Sequence, residues 1–208
     1  MITARNQRSA QAVQESELAD DRGAQIVEFA VALPLLIVFV VGIFDFSGAF
    51  TLKQKLTNIS RDAARLAAAD PATDILKPNS TVPASVDDAY QAVLRYFTVN
   101  NLNKCGITEA PSAPAGPPMW TFSAPSTSAP CALTIIINRG YYLPAGTATQ
   151  PAPATCQPTG GGGVQVVATC VSIQYSYQWQ FGKVASLLGP GAMLPQNLTA
   201  TSIAMNEN

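Results

Sequence analysis

From Phe29 to Phe44 the chain carries no charged side chain, and twelve of these positions are Val, Ile, Leu or Phe. Crossing the hydrocarbon of a bilayer takes about 20 apolar residues. Extending the run to Ile26 and Phe50 reaches that length and brings in Glu28 and Asp45 only near the ends. At roughly 0.3 to 0.6 kcal/mol each, the twelve residues favour insertion by about 4 to 7 kcal/mol, more than the roughly 3 kcal/mol that a mid-membrane acid would cost. The pattern predicts a transmembrane helix over residues 24–50. Pro34 removes one hydrogen bond inside it and predicts a bend, which membrane helices tolerate. That bend is either a harmless kink or a flex point for subunit packing.

After Asp45 the pattern turns amphipathic. Phe46, Ala49, Leu52, Leu56, Ile59, Ala63 and Leu66 recur at steps of three and four, one stripe of a continuing helix. Over residues 51–70 this extramembrane continuation should run to about Ala69, where Pro71 ends it. At 1.5 Å per residue, Ala24 to Ala69 would span about 70 Å, more than twice the hydrocarbon thickness. The distal half must pack either on the chain's own sheet or on a helix of another subunit.

Residues 71–208 read as an exported α+β domain. Ser85 stands as an N-cap with Asp88 in the capping-box position, predicting a second helix from Val86 to Thr98 that ends at Asn100-Asn101. Residues 110–130 and 144–163 are rich in Pro, Ala, Ser and Gly, which favours exposed connectors. Trp120 and Phe122 are the only large side chains in the first. Gly160 to Gly163 close the second without the lysine or following helix of a phosphate loop. Strands are predicted at 133–137, 164–170 and 171–181, with 198–205 as a closing strand. The apolar phase slips by one residue between Cys170 and Val171, which predicts a bulge near Cys170. Strict alternation beyond it suits an antiparallel sheet with one wet face.

Only 12% of the residues are charged and the net charge is −1, so no basic footprint for nucleic acid exists. Histidine is absent, which removes the commonest general base and metal ligand. Adjacent Asp87 and Asp88 are better explained by the helix start than by acid–base work. No catalytic residue, cofactor or metal site is expected, and the chain reads as a non-enzyme. Residues 1–23 are polar without an apolar face and read as a disordered cytoplasmic leader. The count of Lys53, Lys55, Arg61 and Arg65 beyond the span opposes an internal N-terminus, but Arg22 abuts the apolar run and the cysteines call for an oxidising compartment. We place the N-terminus inside. Cys105, Cys131, Cys156 and Cys170 form no Cys-x-x-Cys pair, and an even count in an exported domain suggests two disulfides with three possible pairings. Cys105–Cys131 with Cys156–Cys170 is favoured because each ties off one Pro/Gly-rich loop, contributing roughly 3 kcal/mol for a loop of about 15 residues.

The start of the span admits three readings: a plain signal anchor, a signal cleaved near Ser47-Gly48-Ala49, or a prepilin-type processing site. In the third, a peptidase cuts after Gly23, Ala24 becomes the N-terminus, and Glu28 with Phe29 beside it becomes the fifth residue. A carboxylate inside an apolar helix is costly unless paired, and a neighbouring subunit's free amine is its natural partner. Residues 22–36, Arg-Gly-Ala-Gln-Ile-Val-Glu-Phe-Ala-Val-Ala-Leu-Pro-Leu-Leu, with Gly42-Ile43-Phe44-Asp45-Phe46 and Asp62-Ala63-Ala64-Arg65-Leu66-Ala67-Ala68, resemble the TadE family of pilus-assembly proteins. The resemblance covers roughly residues 22–70. It is looser at the C-terminus, where Asn206 follows Met205 in place of the usual Arg.

The resemblance implies a pilin-like, single-span minor pilin or pseudopilin of the Tad (Flp) tight-adherence system. Its C-terminal domain would be periplasmic, on the inner (cytoplasmic) membrane. It would partner other Tad assembly proteins, pilin subunits and a prepilin peptidase, with Glu28, Pro34 and Asp45 as packing positions. The alternative is a signal-anchored envelope protein, unrelated to pili, that binds a ligand or surface through its Trp/Tyr-bearing domain.

Overall fold

The computed structural model of the chain describes residues 3–71, 73, 82–108, 118–128, 130–144, 155–157, 165–180 and 196–206. It has the expected α+β architecture: one long helix, a second helix and a four-stranded antiparallel sheet. Helix α1 runs unbroken over 67 residues, Thr3–Ala69, with Pro34 inside it. The expected disordered leader is therefore helical from Thr3. Ala4, Ala10, Ala12, Gln11, Glu15 and Glu17 are strong helix formers, and extending a helix that the apolar segment has already nucleated gains one hydrogen bond per residue. The lack of an apolar face does not prevent that.

The distal half of α1 packs on its own domain. Ala49, Leu52, Leu56, Ile59 and Ala63 are buried, as their spacing predicts, but Phe46 and Leu66 at the two ends of the stripe are 60% and 44% exposed. An ideal helix drifts relative to a seven-residue repeat, so Ala64, Ala67 and Ala68 take over the contact beyond Ala63. Their small side chains bring α1 close to α2 and the sheet. Ser60 and Ser202, both buried, satisfy each other across this interface at 2.7 Å.

Helix α2, Ala84–Val99, begins before the predicted start. Ser85 is buried within its first turn and is not the cap. Pro83 holds that position with extended backbone and no side-chain cap bond, and its carbonyl accepts from Val86 N–H and Asp87 N–H at 3.0 and 2.9 Å. A proline locks φ where an N-cap needs it and so displaces the serine. Asp88 therefore has no capping box to complete. At the other end Asn101 takes a left-handed conformation, φ 53°. Leu102 N–H bonds to the Phe97 carbonyl and Asn101 N–H to that of Thr98, the Schellman pattern that closes a helix. The predicted stop at Asn100-Asn101 is where α2 ends.

Four strands, β1 (Met119–Ser123), β2 (Leu133–Pro144), β3 (Gln165–Ser176) and β4 (Asn197–Met205), form a meander in the order β1-β2-β3-β4. Strand β1 overturns the exposed-connector reading of residues 119–123. Trp120 and Phe122 point the same way, two residues apart, and are 3% and 4% exposed. Flanking Pro, Ala and Ser masked that alternation. Strand β2 extends beyond its predicted end to Pro144, and β4 matches the predicted closing strand. Strand β3 ends at Ser176, so residues 177–180 leave the sheet; Val164, Phe181 and Gly160 to Gly163 lie outside the described residues.

The bulge is real but sits on β2. Asn138 pairs with Cys170 and Tyr141 with Ala168, so Arg139 and Gly140 together face Thr169. Strand β3 keeps its phase throughout. Val171 and Ile173 face the helices, while Cys170 and Ala168 face a second apolar cluster with Ile136, Tyr141 and Cys156. What looked like a slip is a strand with apolar cover on both faces. The Gly140 backbone lies so close to Pro118 that an added Cβ would sit 2.6 Å from the proline ring.

Candidate functional site

Between Gly23 and Ala69, α1 is long and apolar enough to cross a membrane, and its most hydrophobic window is wholly unburied within the chain. Ile26, Phe29, Phe39, Phe44 and Phe50 are all more than 60% exposed. Beyond Phe50 only Leu66 among the large apolar residues of α1 is exposed. Apolar surface of this extent needs a non-aqueous environment.

The sequence-predicted processing and packing residues fall on this half. Gly23, Ala24 and Glu28 line one shallow groove with Val27, Val31 and Leu35; Phe29 lies exposed beside Glu28. Pro34 belongs to a second groove that runs past Val38 and Gly42 to Phe50. Nothing lies within 4 Å of where a Cβ would stand at Gly23 or Gly42, so both are open points on the helix surface. The groove that holds Glu28 includes neither Pro34 nor Asp45, the other two predicted packing positions.

Asp45 is used differently. It is 7% exposed, although its neighbours Phe44 and Phe46 are 70% and 60% exposed. The chain leaving β3 folds across it: Gln180 N–H donates to Asp45 Oδ1 at 3.1 Å, and the Tyr177 hydroxyl donates to the Asp45 carbonyl at 3.2 Å. Burial first, and the Asp45 charge second, raise the Tyr177 phenol above its ordinary value. Phe46 meets Trp179 edge-on at 5.3 Å, and Trp179 meets Tyr177 at 4.9 Å, geometries that suit the ring quadrupoles. Gly48 makes room for this clasp, because a Cβ there would lie 2.7 Å from the Tyr177 hydroxyl. Two turns further, Lys53 Nζ donates to the Thr199 carbonyl of β4. The segment Ser47-Gly48-Ala49, a cleavage candidate by composition, lies within the unbroken helix with Ala49 buried.

The structure joins Cys105 to Cys131 and Cys156 to Cys170. The first ties the turn after α2 to the start of β2. The second holds Cys156 against β3, where Asn138 Nδ2 donates to the Cys156 carbonyl at 2.8 Å. Among the described residues no group of three or more His, Cys, Asp or Glu could hold a metal ion.

Sequence reasoning missed the clasp. Tyr177 and Trp179 alternate with polar residues as a strand would, and Gly48 signalled only a small residue. The pairing with Asp45 spans more than 130 positions, which no local pattern encodes.

Within the domain, Tyr90 stacks on Phe122 at 4.4 Å and donates to the Thr108 carbonyl at 2.6 Å. Burial, and secondarily the Asp87 charge, push its phenol up to about 12. The folded value lies above the unfolded one of about 10. Its contribution to stability is therefore complete below about pH 10 and is lost as pH rises through about 12. Chemical denaturation at stepped pH should show stability falling across that window, with a smaller fall in Tyr90→Phe.

Residues 23–65 match the family model described as TadE-like protein, the family that this segment resembles in sequence. No curated protein and no solved structure matched the chain.

Proposed function

We propose that the chain is a TadE-like minor pilin or pseudopilin of the Tad (Flp) pilus-assembly system. It is anchored by one span, residues 24–50, in the inner membrane, with the leader in the cytoplasm and the domain from residue 71 in the periplasm. It acts by packing helices in the membrane and at the base of the filament, and performs no chemistry. One observation carries this reading: a single helix passes from a largely exposed apolar half into a half clamped by its own domain. The clamped half leaves no face large and apolar enough for another helix, so subunit contacts fall to the lipid-exposed half. There Glu28 is the one acid between Gly23 and Phe44, and a partner's amine would relieve the cost of holding it in lipid.

The alternative, an envelope protein binding a ligand through domain aromatics, loses Trp120 and Phe122 to the core.

Glu28→Ala is expected to lose pilus assembly yet remain membrane-bound, since removing the acid eases insertion by up to about 3 kcal/mol. Piliation and flotation with membranes measure the two outcomes. Mass spectrometry of the extracted chain should find Ala24 as its N-terminus if the peptidase acts at Gly23. Unchanged assembly in Glu28→Ala would sink the packing role.

A further inference from the structure

The clasp sits at a distinctive height on the rod. Ile26 to Asp45 spans 19 residue steps, about 28 Å at 1.5 Å each, close to the hydrocarbon thickness of about 30 Å. With Ile26 at one boundary, Asp45 lies at the other. Phe44, Phe46 and Phe50, exposed on the helix, then stand within about 8 Å of that boundary along the axis, and the chain leaving β3 brings Trp179 and Tyr177 against Phe46 and Asp45. Trp and Tyr, with an apolar body and a polar tip, gather at this depth in membrane proteins, and Trp179 and Tyr177 are of this kind. Trp179 and Tyr177 come from a segment more than 130 positions beyond Asp45, so the fold itself brings them to this height.

The same contacts remove the obstacle to that depth. A carboxylate facing lipid at the boundary would be costly, but the Gln180 N–H and the burial of Asp45 withdraw it from solvent and lipid alike. From this juxtaposition we infer that residues 177–180, folded over Asp45 and Phe46, form an interfacial collar that binds the headgroup-to-acyl layer of the bilayer and fixes the height of the exported domain on it. The collar rests on the membrane-span reading, and its occupant is the lipid interface.

The chain contains two tryptophans. Trp120 is in the core, 3% exposed, which makes Trp179 a depth probe. The full chain with Trp120→Phe would be reconstituted into phosphatidylcholine/phosphatidylglycerol vesicles carrying lipids brominated either near the headgroup or near the methyl ends of the acyl chains. Trp179 emission should be blue-shifted and quenched more by the shallow bromines than by the deep ones. Should the Trp120 variant fold poorly, the wild-type signal minus that of Trp179→Phe gives the same quantity. Flotation with the vesicles separates the two levels of the argument. A chain that floats while Trp179 is quenched by aqueous iodide and not by bromolipid overturns the collar and leaves the anchor intact; a chain that fails to float overturns both.

Discussion

Leu56→Ala is expected to lower the stability of the exported domain by about 3 kcal/mol, within the 2 to 5 kcal/mol usual for a leucine removed from a packed core. Leu66→Ala, ten positions along the same helix, should change it by less than about 0.5 kcal/mol. Both leucines lie on one stripe in the sequence. Leu56 is fully buried and Leu66 is 44% exposed, because beyond Ala63 the contact with the domain passes from that stripe to Ala64, Ala67 and Ala68. Leu56 sits in the cluster that joins α1 to Val93, Phe97 and Ile173, so its loss also loosens the rod from its domain. Urea denaturation of the chain in detergent micelles, followed by emission of the buried Trp120, measures both. Equal effects for the two substitutions would mean that the distal helix is enclosed on every side, by a second subunit.

That contrast marks how far local pattern reached. The rod was legible because a long uncharged run followed by a three-and-four repeat admits few structures. Its termination at Ala69, the end of α2 at Asn100 and the closing strand to Met205 were legible for the same reason: a proline, a left-handed asparagine and a β-rich segment each act locally. The sheet was less so. Strand β1 hides in composition that usually means an exposed connector, and only the alternation of Trp120 and Phe122, two positions apart, betrays it. Alternation reports which face is apolar, not which face is wet, so a β3 covered on both faces mimics a bulge near Cys170, whereas the irregularity lies on β2 between Asn138 and Tyr141. Most of the candidate site was beyond reach. Glu28 and Gly23 stand out as an acid and a glycine at a membrane edge. The withdrawal of Asp45, by contrast, depends on a backbone N–H from Gln180 that has no sequence signature.

The buried Arg139 shows the same limit with the larger consequence. It is fully buried, on the bulge where two residues of β2 face one of β3. A bulge re-aims a side chain, and here Nη2 reaches the Asp70 carbonyl at 2.7 Å, just past the end of α1. Carbonyls at a helix C-terminus lack intrahelical partners and carry the negative end of the dipole, so the cation suits the position twice over. Asn206 fixes the bulge from just past the end of β4, donating to the Arg139 carbonyl at 3.2 Å while accepting from Thr169 Oγ1 at 2.6 Å. Removing one partner of a buried hydrogen bond leaves the other without it, which costs more than replacing both. Here Arg139→Met removes only the donor and leaves the end of a long helix without it. The expected loss is about 2 to 4 kcal/mol, combining a stranded acceptor with a buried side chain of poorer fit. Arg139→Lys keeps the charge but not the planar fork, and should fall between the two. Denaturation midpoints of the three chains, compared at equal slope, measure the series. A methionine variant as stable as the parent would show that β2 and the end of α1 are held together by packing alone.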